Sequence, residues 1–251
     1  MSLAVSYINS PEFPGFQWQG SPYLAVISGD ITPETVNNLQ REFPNWAILS
    51  GLREANEYFD AFLDEVFTAA LLIENWSEKR IANERNAKSL ARAKQFESKG
   101  TEDKLKELHA RYGIASTFAE EMISIRYARN CLTHRLGIVG WKDVRESTGL
   151  TISWRVSQLY GYEPDGSEFI PEQGKFPMVM PVGSPLMMRW IQQSRTYQIG
   201  ERVELLPQDL QEICFTFSLT VSEIIESLTT YAETKGVIVN KIDVKGNESP
   251  N

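Results

Sequence analysis

The sequence predicts a mainly α-helical protein: an antiparallel helical bundle with a long helical hairpin and a small β-rich insertion before the last helix. Stretches near residues 48–76, 115–136 and 207–235 place apolar residues at alternating steps of three and four, the spacing of one helix face. Between the second and third stretch, short β-branched and aromatic runs are separated by turn residues. These patterns predict helices that enclose a shared core, with a small sheet attached.

Composition indicates a folded protein. The chain has 251 residues, of which 42% are hydrophobic, 11% aromatic and 23% charged, which is ordinary for a globular domain. The first residues lack the charged lead and apolar run of a signal peptide, so we expect a cytoplasmic protein without membrane association. Cys131 and Cys214 are isolated, without zinc-ligand spacing. We therefore expect no metal and no cofactor.

Residues 1–47 are predicted to form an N-terminal lead-in with one short helix. Residues 3–8 and 23–27 are apolar enough for strands. Thr32 followed by Pro33 is typical of a helix start, and Pro44 is expected to end that helix near residue 42 or 43.

Residues 48–136 are predicted to form the helical core with its hairpin. Gly100 and Thr101 predict the hairpin turn, and Gly113 an interruption before the helix that runs from about 115 to 136. Acidic residues on the first long helix are expected to form a solvated face. Its apolar stripe consists of Leu52, Ala55, Phe59, Phe62, Val66, Ala69, Ile73 and Trp76, and three of the acidic residues, Glu57, Asp60 and Asp64, share one face.

Residues 137–206 are predicted to form the β-rich insertion, residues 207–236 the final core helix and residues 237–251 a polar tail. Strands are expected at 150–156, 158–162, 168–170, 197–199 and 202–205, with a loop over 171–185. The aromatic residues of the insertion could stack nucleobases or fill a small β core; they are Trp141, Trp154, Tyr160, Tyr162 and Trp190.

The net charge of −8 argues against a globally basic nucleic-acid binder, but the charge is unevenly distributed. Residues 77–111 contain ten basic and six acidic residues, a balance of +4, while the remainder of the chain carries −12. Such a segment could attract a phosphate backbone or could be the solvated face of mixed-charge helices.

The stretch Arg-Asn-Cys-Leu-Thr-His at 129–134 lies near the end of the second apolar stretch. Arg129 occupies the gap in a stripe that consists of Phe118, Met122, Ile125, Leu132 and Leu136. A guanidinium in an apolar stripe requires a partner. Two explanations stay open: a core ion pair with Glu54, Asp60 or Glu121, or a clamp for a phosphate.

Helical spacing restricts how these side chains can meet. Asn130 and His134 are four residues apart and share a face with Arg126, whereas Arg129 lies about 140° from His134 around the helix. Arg129 and His134 therefore converge only if the helix end is distorted or if a symmetric second copy supplies the other half.

A histidine beside arginines suits phosphodiester cleavage. His134 could exchange a proton with a ribose 2′-hydroxyl or with the leaving oxygen. Arg129, with Arg126 and Arg135 as further phosphate-binding candidates, could neutralise the phosphate in the transition state, and Asn130 could orient the histidine or a phosphate oxygen. The scheme requires no metal.

The motif, in which Arg129 and Asn130 are followed by three residues and His134, resembles the signature of HEPN domains, which are helical bundles. The resemblance implies a dimeric, metal-independent endoribonuclease of toxin–antitoxin, antiviral or RNA-processing systems, with Arg129, Asn130 and His134 in a composite site at a homodimer interface. It leaves open an alternative: a non-catalytic HEPN-like module that binds RNA, a nucleotide or a partner protein such as an antitoxin.

Overall fold

The computed structural model describes residues 33–77, 82–144, 149–163, 165–171 and 185–237. This part of the chain is mostly helical, with a small antiparallel sheet before the last helix, which confirms the predicted fold class at this level. The helices are α1 (Pro33–Ser77), α2 (Ala82–Glu97), α3 (Thr101–Tyr112), α4 (Ala119–Arg135) and α5 (Pro207–Thr234). A 3-10 turn spans Trp141–Asp143, and the strands are β1 (Gly149–Tyr162), β2 (Glu168–Phe169) and β3 (Met187–Gln198). The strands expected at 3–8 and 23–27, most of the 171–185 loop and nearly all of the tail lie outside the described residues.

Helix α1 is longer than predicted because it runs without a break through Pro44. The expected helix end near residue 42 or 43 is therefore wrong. A proline inside a helix removes one backbone hydrogen bond and strains the preceding turn. That cost is local, and the helix on both sides propagates with one hydrogen bond per residue.

The buried face of α1 differs from the predicted stripe. It consists of Ile48, Leu52, Phe59, Leu63, Val66, Phe67, Ala70 and Leu71. Trp76, predicted to be in the stripe, is 74% exposed. Several three-four stripes can be drawn on this apolar helix, and the neighbouring helices decide which one is buried. Ring contacts define the packing: Phe59 meets Phe217 of α5, and Phe67 stacks on Phe96 of α2.

Glycine ends the second helix of the hairpin, α3, where an interruption was predicted, while Gly100 is the N-cap of α3. Gly113 has φ +69° and ends α3, as a left-handed C-cap allows. The connection into α4 is held by α5, because Glu223 accepts hydrogen bonds from the hydroxyl of Ser116 and from the backbone and hydroxyl of Thr117. This anchoring fixes the start of the helix that carries the motif.

The sheet has the order β2-β1-β3. β1 pairs with β3 from Gly149↔Gln198 to Tyr160↔Met187, and with β2 at Gly161↔Phe169. The two strands expected at 150–156 and 158–162 are one strand. The strand over 202–205 was wrongly predicted, since only an isolated bridge joins Ile138 to Arg202 there.

Most of β3 was missed because its sequence, MMRWIQQSRTYQ, lacks apolar alternation. On the edge of β1 that pairs with β2 at Gly161, residues 153 and 155 are bonded by side chains rather than by a strand. The Ser124 hydroxyl of α4 bonds the backbone of Ser153, and the Thr216 hydroxyl of α5 bonds the backbone of Arg155. These bonds fix the sheet against both helices.

Over the described residues, the longest helices are too polar to cross a membrane.

Candidate functional site

The motif residues lie on the last two turns of α4, outside its buried stripe. The buried positions are Phe118, Glu121, Met122, Ile123, Ile125, Ala128 and Cys131. Ala128, rather than Arg129, therefore occupies the gap in the apolar series. The Arg129 side chain is 27% exposed at the edge of the core. The expectation of a guanidinium within the apolar stripe is thus wrong, because the helix is rotated by about one residue from the predicted stripe.

Arg129 has two polar partners. Its Nη2 lies 3.3 Å from Glu57 Oε1 on α1, and its Nη1 donates to Asn130 Oδ1 at 3.3 Å. Glu57 is 54% exposed and also lies 3.9 Å from Arg53 Nε. The ion pair predicted for Arg129 exists, but with Glu57 instead of the three carboxylates considered from the sequence.

Arg126 makes the next pair along the same two helices. Its Nη1 lies 3.4 Å from Asp60 Oδ2 and also donates to the Thr101 hydroxyl. Thr101 in turn donates to Asp60 Oδ1 at 2.6 Å. Arg126 is thus held inside a network that joins α1, α3 and α4, and its charge is balanced within the chain.

Asp64, the third acidic residue on the α1 face that carries Glu57 and Asp60, pairs with Lys104 Nζ at 2.6 Å. Lys104 is almost fully buried, and its ammonium also bonds the Asp60 carbonyl. The three carboxylates that share a face of α1 are therefore solvated only in part, since Glu57 is 54% exposed and Asp64 27%. Each of the three pairs with a cation of α3 or α4.

Arg135 is bound to the segment that follows α4. Its Nε donates to Asp143 Oδ2 at 2.6 Å and its Nη2 to the other carboxylate oxygen. Asp143 also accepts the Gly140 backbone N–H at 2.8 Å, and the Asp143 side chain is almost fully buried. This network holds residues 140–143 against the last turn of α4. Asp143 had no recognisable signal in the sequence.

Burial and the nearby Asp143 carboxylate raise the pKa of the Cys131 thiol to about 11. Cys131 is fully buried at the centre of this region, whereas Cys214 is exposed. Cys131 therefore stays protonated near neutral pH and acts as a small core residue.

His134 is exposed on the last turn of α4. Within the described part of the chain, its imidazole makes no hydrogen bond and does not contact Arg129. The helical angle thus keeps the two side chains apart in one copy, as the sequence predicted for an undistorted helix. Two clefts, of about 420 and 260 Å³, lie elsewhere and are not lined by the motif.

The aromatic residues of the insertion divide into two groups. Trp154 is fully buried and donates to Glu212, and Trp190 packs against Phe215. Trp141 is 73% exposed. Core filling is therefore the role of Trp154, whereas Trp141 faces solvent beside the end of α4.

The locally basic segment is largely neutralised where it is described. Five of its cations pair with carboxylates: Arg92, Lys99, Lys104, Lys106 and Arg111. This pairing favours the interpretation of a mixed-charge helical surface over that of a phosphate-binding lobe.

The described residues contain no cluster of histidine, cysteine and carboxylate groups suited to a metal. The chain matches no protein-family model, no curated protein and no solved structure.

Proposed function

We propose that this protein is a HEPN-like, metal-independent endoribonuclease that cleaves RNA to a 2′,3′-cyclic phosphate. The observation that carries the proposal is the common placement of Arg129, Asn130 and His134 at the solvent-facing end of α4. Arg129 contacts Asn130, and His134 is exposed and makes no hydrogen bond within the described residues. A cytoplasmic role in a toxin–antitoxin pair or in phage defence fits such an activity.

The chemistry follows from the side chains. One His134 takes the proton of a ribose 2′-hydroxyl, and the resulting oxygen forms a bond to phosphorus. The bond from phosphorus to the 5′-oxygen breaks, and the same histidine, now protonated, gives that oxygen its proton. Arg129 holds the phosphate oxygens through its planar guanidinium and neutralises their growing charge.

Two copies of the chain are part of the proposal. Arg129 and His134 diverge by about 140° around α4, and cleavage requires an acid, a base and a phosphate clamp within a few ångströms. A two-fold axis beside the end of α4 would bring both copies of the motif to one phosphate. The exposed apolar residues Leu136 and Ile138, immediately after the motif, support burial of this surface in a homodimer.

One observation favours the alternative, a non-catalytic HEPN-like module. The arginines of the motif region, Arg126, Arg129 and Arg135, are paired with Asp60, Glu57 and Asp143. If those pairs persist with RNA bound, the surface would bind RNA, a nucleotide or an antitoxin without cleaving it. The pairs differ, however, because Glu57 is 54% exposed and Asp143 is buried. Solvated pairs are weak, so a phosphate can displace Glu57 more readily than Asp143.

Incubation of the purified protein with loop-containing RNA in EDTA tests the proposal. We expect products with 2′,3′-cyclic phosphate ends, detected by mass spectrometry, and their loss in His134→Ala and Arg129→Ala. His109→Ala, which changes the other histidine of the chain, is the matched control and should cleave like the wild type. Absence of cleavage with structured and unstructured RNA would favour the non-catalytic module.

A further inference from the structure

Trp141 is an exposed aromatic residue on a rigid support. It is 73% exposed, although burial of a tryptophan side chain is strongly favourable. Trp154 of the same insertion is fully buried. An exposed tryptophan on a flexible loop would not indicate a binding site. The exposure of Trp141 indicates one only if the backbone that carries it is held in place.

The support of Trp141 is held by buried hydrogen bonds. Trp141 opens the 3-10 turn that ends at Asp143, and the Asp143 backbone N–H donates to the Gly140 carbonyl at 2.9 Å. The buried Asp143 carboxylate accepts from Gly140 and from two guanidinium nitrogens of Arg135. The backbone that carries Trp141 is therefore held next to the last turn of α4, which also carries His134.

A cation accompanies the ring. Lys142 Nζ lies 5.3 Å from the centroid of the Trp141 ring. Sites for single-stranded nucleic acid combine exposed aromatic rings that stack on bases with cations that attract the backbone, and Trp141 with Lys142 offers one of each. Lysine is depleted from the centres of protein–protein interfaces, so this pair fits RNA better than an apolar protein surface.

We propose that Trp141 stacks on a nucleobase of single-stranded RNA adjacent to the phosphate held at Arg129 and His134, and that Lys142 faces the flanking phosphate. This inference rests on the proposed function and adds a binding subsite to it. Every base presents a π-face, so the subsite accepts any of the four bases. It holds the strand in place and takes no part in proton transfer.

Binding of a fluorescein-labelled 2′-O-methyl RNA decamer of mixed sequence, followed by fluorescence anisotropy, tests the inference without cleavage. Because loss of one base stack costs about 1–3 kcal/mol, Trp141→Ala should weaken binding by about 5- to 140-fold, and Trp141→Phe should largely restore it. Trp76→Ala is the matched control. Trp76 is 74% exposed on α1, and it lies 19 positions after Glu57, which corresponds to about 28 Å along that helix.

A second readout reports stacking itself. A 2-aminopurine placed in the decamer should be quenched by the wild type and by Trp141→Phe, and much less by Trp141→Ala. Equal binding and quenching by the wild type and Trp141→Ala would overturn the inference, and cleavage by the same wild-type preparation would leave the proposed function standing. Failure of the wild type both to bind the decamer and to cleave RNA would overturn both proposals.

Discussion

The Glu57 carboxylate of α1 lies 3.3 Å from the Arg129 guanidinium of α4, and the next pair, Asp60 with Arg126, lies at 3.4 Å. From the first pair to the second, the residue number rises by three on α1 and falls by three on α4, as expected for two antiparallel helices. The candidate phosphate clamp is therefore also part of the contact between two core helices. Arg129 has a structural partner that an RNA phosphate must replace.

Glu57→Gln tests that competition. Removal of the carboxylate charge frees Arg129 for phosphate, so we expect binding of the 2′-O-methyl decamer to tighten by about two- to fivefold. The melting temperature should change little, because partly exposed ion pairs contribute less than about 1 kcal/mol.

Glu54→Gln is the matched control for Glu57→Gln. Glu54 is exposed on the adjacent turn of α1 and forms no ion pair within the described residues, so its loss reports only the general effect of one fewer negative charge. Weaker RNA binding by Glu57→Gln than by Glu54→Gln would contradict the competition.

The Lys104–Asp64 pair should respond unequally to loss of its two members. Asp64→Ala leaves the almost fully buried Lys104 ammonium without its carboxylate, which should lower the free energy of unfolding by about 2–3 kcal/mol. Lys104→Met leaves the Asp64 side chain 27% exposed, although its Oδ1 atom is buried, so its cost should be smaller than that of Asp64→Ala. Urea unfolding followed by circular dichroism measures both. A larger loss in Lys104→Met would show that the buried ammonium is not the costly member.

Leu136 is a leucine in a left-handed conformation, with φ +54° at the C-cap of α4. Its side chain is 79% exposed, so little packing is lost on truncation. In protein diluted until it is monomeric, Leu136→Gly should therefore raise the free energy of unfolding by about 0.5–1 kcal/mol. This is the strain that is relieved less the added entropy of the unfolded chain.

The adjacent glycine provides the opposite test of the α4 C-cap. Gly137 has φ +82°, and a Cβ there would lie 3.2 Å from Leu132 Cδ2. Gly137→Ala should lower the free energy of unfolding by about 1 kcal/mol or more. Thermal unfolding of both variants checks the pair. A destabilised Leu136→Gly would indicate that the leucine side chain makes a stabilising contact in the folded protein.

Cys131 should be unreactive in the folded protein. Its thiol is buried, and the raised pKa of about 11 leaves almost no thiolate at pH 8. Iodoacetamide at pH 8 should therefore label Cys214 in the native protein and Cys131 only in urea, as mass spectrometry would report. Rapid native labelling of Cys131 would contradict its burial.

The same pKa shift predicts a loss of stability at high pH. A thiol pKa raised on folding, from an ordinary 9.0 to about 11, means that the unfolded state loses its proton first. The contribution of Cys131 is fully present below pH 9 and falls as the pH rises to about 11. Urea unfolding at pH 8 and pH 10.5 should show this fall, and it should be reduced in Cys131→Ala. An equal fall in the variant would assign the effect to other groups.

Sequence reasoning found the helices with strong apolar periodicity and the glycines that end them. Helix α5 begins at Pro207 as predicted, and Gly113 ends α3. The sequence did not predict most of β3, because that strand is mostly polar. Its extent is set by pairing with β1, a contact between residues distant in sequence. The helix end predicted at Pro44 was wrong because that prediction considered only the proline and its neighbours. The helical residues on both sides of Pro44 keep α1 continuous.

The sequence singled out the residues of the candidate site but did not predict which residues they contact. Arg129, Asn130 and His134 lie where the helical spacing placed them relative to one another. The partner of Arg129 was missed, although the three-residue spacing of Glu57 and Asp60 matches that of Arg126 and Arg129 and could have indicated it. The bond between Arg135 and Asp143 depends on the path of the chain after α4, which no local pattern specifies.

The most direct test of the central claim mixes two inactive variants. Arg129→Ala and His134→Ala should each lose cleavage of RNA in EDTA. If Arg129 and His134 act across two copies, unfolding and refolding the two variants together yields mixed dimers that retain one intact arginine–histidine combination. The mixture should then regain about a quarter of the wild-type rate. A mixture as inactive as each variant alone, beside an active wild type treated in the same way, would contradict a site shared between two chains.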